Sequence, residues 1–159
     1  MALVCWKWGD WRNWKKYYST ILFFIIWGLL YSYMTVNYPL WRLDHPLFKH
    51  TYSDLIISFI AYPSVVMLYL PYLPISLVKR IANVFLWVTI FATLELVNLY
   101  LAEIHYYHGW KFGYSVAFNF LIFLLLRLHF YKPLAAWAVS IAGCIAILII
   151  FKFPVMSVI

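Results

Sequence analysis

The sequence predicts an all-α fold, a polytopic membrane bundle of about five transmembrane helices. Three observations carry that expectation. Of the 159 residues, 67% are hydrophobic and only 11% are charged, which is more apolar surface than a soluble domain of this size buries. Five apolar runs, residues 17–36, 55–73, 81–101, 112–131 and 134–151, hold 18 to 21 residues each, the length at which a helix crosses a hydrocarbon core of about 30 Å. Within each run the apolarity is continuous rather than alternating, which excludes barrel strands, and backbone amides in lipid must pair within their own helix. Residues 1–159 read as a single transmembrane domain.

In chain order, the tail before the first run mixes Trp6, Trp8, Trp11 and Trp14 with Lys7, Arg12, Lys15 and Lys16. A helical wheel spreads both sets round the circle, so the tail reads as an aromatic and basic interfacial anchor without one apolar face. The first run has no small-residue cleavage site after it and reads as a retained helix. The connection 37–54, with Pro39, Trp41, His45 and Pro46, is expected to fold back onto the interface. Pro63, Pro71 and Pro74 predict a second helix kinked near the first of them and ended near one of the others. The fifth run carries Ala138, Ala142 and Ala146 at intervals of four beside Gly143, a spacing that allows close packing in the bundle or, alternatively, a homodimer seam.

The formal charge of +7 comes from cations at the ends of the apolar runs, where they anchor to head groups, and not from a face that would suit nucleic acid. With the N-terminus in the cytoplasm, Lys7, Arg12, Lys15, Lys16, Lys79, Arg80, Arg127 and Lys132 fall inside, against Arg42, Lys49, Lys111 and Lys152 outside. This bias predicts a cytoplasmic N-terminus and, after five spans, an external C-terminus in a multi-pass cell-membrane protein. Membrane lipids are the expected partners, with a homo-oligomer or a membrane-protein partner as further expectations. Cys5 and Cys144 fall too far apart along this topology to bridge.

Candidate chemistry rests on the few positions that lipid does not favour. Glu95 lies 14 residues beyond residue 81, about 21 Å along the third helix, where an unpaired charge costs roughly 3 kcal/mol. Asn98 shares its helix face, and Ala102 and His105 continue that stripe. Asn119 lies at the same depth on the fourth helix, with Ser115 one turn away. The depth match predicts that Glu95 faces the bundle interior and bonds to the fourth helix, through Asn119, or to groups around the second-helix kink. Glu103, His105 and His108 sit together beyond the third run, and the spacing of the histidines would suit a shared metal on a helix. The fixed ligand spacings of structural zinc sites are absent, so no metal or other cofactor is expected. Arg127 and His129 read as groups that snorkel to the inner head groups.

The stretch holding Glu103, His105, His108, Gly109 and Trp110, followed by Leu126, Arg127, Leu128, His129, then Lys132, Pro133, Leu134, Ala135, Ala136 and Trp137, resembles a family of small five-helix integral membrane proteins from spore-forming bacilli and clostridia. The resemblance covers roughly the C-terminal 70 residues, and its Arg-Leu-His to Lys-Pro segment is the most specific part. It implies a five-helix architecture in a bacterial plasma membrane, and no reaction, cofactor or site residue. No catalytic motif stands out, and the expected role is that of a non-catalytic membrane component or partner-binding protein. Two rivals are a small proton- or ion-coupled transporter using Glu95, and a membrane metal-binding protein or enzyme using the outer histidines and Glu103.

Overall fold

The computed structural model describes residues 1–43 and 50–154, with residues 50 and 51 described as backbone only. Eleven elements are found among the described residues. Helix α1 (Ala2–Trp8) leads through a 3-10 turn into α2 (Trp14–Met34), followed by strand β1 (Trp41–Leu43). Next come α3 (His50–Ile56), a π-helical segment at Ile57–Ala61 and α4 (Tyr62–Tyr69), which run on as one span. Helix α5 (Leu77–Tyr100), strand β2 (Ile104–Tyr106), α6 (Phe112–Tyr131) and α7 (Pro133–Ile150) complete the order. Five helices, at Trp11–Met34, Tyr52–Tyr69, Leu77–Tyr100, Phe112–Tyr131 and Pro133–Ile150, are long and apolar enough to cross a membrane. The chain is an all-α multi-pass membrane protein.

The spans differ from the expected runs by a few residues at most of their ends, and the differences have local causes. Helix α5 begins at Leu77, three residues past Pro74, and Arg80 Nε donates back to the Pro74 carbonyl at 2.9 Å. It ends at Tyr100 in a Schellman turn: Ala102 adopts φ 56°, its N–H donates to the Leu99 carbonyl, and the Glu103 N–H donates to that of Asn98. The stripe from Glu95 therefore stops before Ala102 and His105. The last span ends alike, with Lys152 at φ 49° and the Phe153 N–H donating to the Leu148 carbonyl.

The kink expected at Pro63 takes the form of the π segment. Proline lacks the N–H that would close a helical bond, and its ring crowds the carbonyl four residues earlier, so the preceding turn widens by one residue. The Tyr62 N–H accordingly donates five residues back, to the Ile57 carbonyl, and the Ser64 hydroxyl donates to the Ile60 carbonyl at 2.6 Å.

Strands β1 and β2 were not legible as strands in the sequence. They pair antiparallel with Trp41 opposite Tyr106, Arg42 opposite His105 and Leu43 opposite Ile104, and so join the first long connection to the third across one end of the bundle. The connection 37–54 thus folds back in part, and Asp44, His45, Pro46 and Lys49 lie outside the described residues.

At the opposite end α1 packs against α4, with Cys5 fully buried while Leu3 and Trp6 are 88% and 81% exposed. The Tyr72 hydroxyl donates to the Trp8 carbonyl at 2.8 Å, and Trp11 Nε1 to the Cys5 carbonyl at 2.8 Å. Cys5 and Cys144 are free thiols.

The core centres on α2, α4 and α6. Tyr69 donates its hydroxyl to the Phe123 carbonyl at 3.1 Å, and Phe23 stacks on the His129 ring at 4.2 Å. His129 is buried and shares a 3.0 Å hydrogen bond with Thr20, so it packs inside the bundle instead of snorkelling. Of the two expectations for the small-residue stripe, packing within the bundle is not met. Ala138, Ala142 and Ala146 are exposed, and the packed face of α7 runs through Ala136, Ser140, Gly143 and Ile147.

Candidate functional site

Glu95 faces the strand pair. Its Oε1 accepts a 2.6 Å hydrogen bond from the Tyr106 hydroxyl, eleven residues further on in β2. The expected bond to Asn119 is not formed, because α5 ends in a tight turn that brings β2 back over its own last turns and supplies a nearer donor. Burial, and after it the bond to Glu95, push the Tyr106 hydroxyl above the ordinary tyrosine range, because both favour the protonated phenol. Ser115 lies beside it and accepts from Trp110 Nε1 at 2.8 Å, so Glu95, Tyr106, Ser115 and Trp110 form one polar cluster beneath the strands.

The other sequence candidates do not converge on this cluster. Asn119 is buried in α6, and Asn98 is half-buried near the end of α5. His105 lies exposed in β2, whereas His108 lies in a turn at φ 51°, stacked on Tyr38 at 3.4 Å with Nδ1 2.9 Å from the Pro39 carbonyl. The two imidazoles therefore do not share a helix face, and Glu103 forms part of the α5 terminal turn. Among the described residues no three histidine, cysteine or acidic side chains gather as a metal would need.

A different site lies between α2, the second span and the strands. Mid-helix Gly28 makes it, because a Cβ there would overlap the ring of Tyr62, which the π segment carries against α2. Tyr62 stacks on Phe24 at a centroid distance of 4.0 Å and is held there. Above it, Tyr31 stacks on Trp41 at 4.0 Å; its hydroxyl donates to the Trp41 carbonyl at 3.1 Å and accepts from the Trp41 N–H at 3.2 Å. The strand pair is thus tied to the top of α2 by both faces of one residue.

These contacts divide the space into two chambers. The first, of about 280 Å³, is lined by Tyr31, Ser32, Thr35, Arg42, Asp54 and Ser58 among others, and so presents a cation, an anion and several hydroxyls. The second, of about 160 Å³, runs between α2, α6 and α7 among apolar side chains such as Phe23, Leu125 and Ile147. Gly28, Tyr31, Thr35, Trp41 and Tyr62 line both, so the polar and apolar chambers adjoin across a common wall. Glu95, Asn98, Asn119, Glu103, His105 and His108 line neither.

This arrangement can recognise a molecule with a charged head and an apolar body. Sequence reasoning missed it, although three of its signals were present: a glycine in the middle of a span, an aspartate in the first turn of the next, and a proline just after Tyr62. Compared with known proteins, the chain matches no family model, no curated protein and no solved structure.

Proposed function

We propose that this protein is a non-catalytic membrane component that binds an amphiphilic lipid, with the head in the chamber of Arg42 and Asp54 and the chain in the apolar chamber. The common wall of the two chambers carries this reading, since it sets opposite chemistries side by side at one end of the bundle. A chamber that offers both a guanidinium and a carboxylate suits a zwitterionic head, whose phosphate pairs with the one and whose amine pairs with the other. The transporter reading would have to run through Glu95, which lines neither chamber and is bonded to Tyr106.

The eight-to-four bias of Lys and Arg supports a cytoplasmic N-terminus, which puts the polar chamber toward the outer leaflet. The likeness of the 126–137 segment to five-helix proteins of spore-forming bacteria supports a bacterial plasma membrane. A cysteine reporter at the C-terminus should then label from outside intact cells and one in the tail should not; the reverse pattern refutes this orientation.

Binding is tested by mass spectrometry of lipids retained through purification in mild detergent. The wild-type protein should retain zwitterionic lipid above its share of the membrane. Cys144→Phe, which adds a ring to the apolar chamber, should lose that enrichment while keeping the melting temperature within a few degrees. Retained lipid that mirrors the bulk membrane in both proteins defeats the reading.

A further inference from the structure

The charge of the chain is gathered at the end of the bundle away from the strands. Three segments meet there: residues 1–17, the connection 70–80 and the turn 127–134. The Tyr72 hydroxyl ties the second to the first through the Trp8 carbonyl at 2.8 Å, and Tyr17 stacks on Phe130 at 5.8 Å to bring in the third. Together they hold eight lysine and arginine residues against a single acid, Asp10, so the net charge of this end equals the formal +7 of the whole chain. Asp10 is engaged locally, accepting from Asn13 Nδ2 at 3.0 Å and from the Tyr17 hydroxyl at 2.9 Å. Arg80 and Arg127 are half-buried and the other six cations are exposed, so a head group can reach them. Among the described residues the opposite end balances Arg42, Lys111 and Lys152 against Asp54, Glu95 and Glu103.

Charge alone would suit any polyanion, and the apolar groups set among the cations narrow the class. Helix α1 turns Cys5 into α4 and leaves Leu3 and Trp6 outward, while Trp14, Ile75 and Leu134 are exposed at the same end. Tryptophan and aliphatic side chains between cations match the boundary of head groups and acyl chains, where indole rings settle and basic side chains meet phosphate. A soluble polyanion would supply the counter-charge but no apolar surroundings for Leu3 and Ile75. Zwitterionic lipid carries an amine beside its phosphate, and the field of this end repels that amine. We infer that this end selects anionic phospholipid from the leaflet it meets, with α1 lying in the head-group layer and the exposed cations pairing with the phosphates. The selection is independent of the two chambers at the other end.

The full-length protein is reconstituted into phosphatidylcholine bilayers holding a trace of spin-labelled phosphatidylglycerol or spin-labelled phosphatidylethanolamine. The association of each with the protein is read from the motionally restricted part of the electron spin resonance spectrum. At low ionic strength the wild type should favour phosphatidylglycerol about threefold. That is roughly fivefold at this end, the scale of one cation's attraction to an anionic surface, averaged with parity at the other. Salt at about 1 M shortens the Debye length to about 3 Å and should bring the two lipids close to parity. Lys7→Gln, Arg12→Gln and Lys15→Gln combined should roughly halve the preference, while Lys111→Gln with Lys152→Gln, exposed cations of the opposite end, should leave it unchanged. Lys16 is kept because its Nζ lies 5.5 Å from the Phe130 ring. Equal association of the two lipids with the wild type at low salt overturns the inference and leaves the cations to a soluble acidic partner. A preference that persists at high salt, one that survives the tail substitutions, or one that the opposite pair abolishes overturns the assignment to this end.

Discussion

The second and fifth spans are both 18 residues long, yet 44% of the second is buried inside the protein and only 11% of the fifth. The fifth is a regular helix from Pro133 to Ile150, most of it facing outward. The second is interrupted by a π turn, carries Ser53, Asp54, Ser58 and Ser64, and buries every residue from Ser64 to Leu70. A span that faces lipid need only be long and apolar, whereas one inside the bundle must also satisfy polar groups and fit its neighbours. The candidate site is built on the second kind.

The largest expected effect follows from the glycine that lets the second span approach. Gly28→Ala puts a methyl into the ring of Tyr62, and that ring cannot move away easily because it stacks on Phe24. Overpacking of this kind costs about 1–3 kcal/mol. Thermal unfolding in detergent should show a clear drop in melting temperature and loss of the retained lipid. An unchanged melting temperature would mean that the second span is not tightly seated against α2, and the contrast with the fifth would fail.

The third span sharpens the comparison because it is also 11% buried yet carries Glu95. If outward-facing spans hold polar groups only at their ends, the worth of Glu95 lies in its tie to Tyr106 and not in the bundle core. Tyr106→Phe should cost about 1 kcal/mol through the lost hydrogen bond. It should also alter the alkaline limb of stability. The folded state holds the Tyr106 hydroxyl above its ordinary value of 10.0, so its contribution is complete below about pH 10 and is lost as pH rises further toward the folded value. Melting curves on either side of about pH 10 should therefore fall less steeply for Tyr106→Phe than for wild type. Identical slopes would remove Tyr106 as a contributor.

Within the second span, Ser64→Ala removes the donor to the Ile60 carbonyl beside the π turn. The expected cost is about 1 kcal/mol, at the upper part of the range for hydrogen bonds in membrane helices. A neutral result would show that the widened turn is held by Pro63 alone.

The same contrast explains what could be read in advance. Lipid imposes length and continuity on a span, and those are properties of the residue string, so residues 112–131 were placed at their true ends. The depth arithmetic put Glu95 and Asn119 at one level, but not the fold of the segment between them, because strands of three residues leave no periodicity to detect. Tyr106 was therefore missed as the partner. Arg42 and Asp54 were visible only as charges in or beside a loop. Their common chamber depends on where the π turn swings Tyr62, which is a consequence of packing against Gly28 and is not written in either residue alone.

The smallest effect has the opposite sign. Gly143 also lies in the middle of a span, on the packed face of α7, but a Cβ there would meet only Leu121 Cδ2 at 3.6 Å, an ordinary van der Waals contact. Glycine in a helix interior is less favourable than alanine by roughly 0.5–1 kcal/mol, because it leaves the unfolded chain freer. Where the methyl has room, the substitution recovers part of that difference. Gly143→Ala should therefore raise the melting temperature slightly, by the equivalent of about 0.5 kcal/mol. The two glycine substitutions form a matched pair, identical in the atoms they add and different only in the span they address. If Gly143→Ala proved as damaging as Gly28→Ala, the fifth span would be packed as closely as the second, and its outward faces would have to be covered by a neighbour other than lipid.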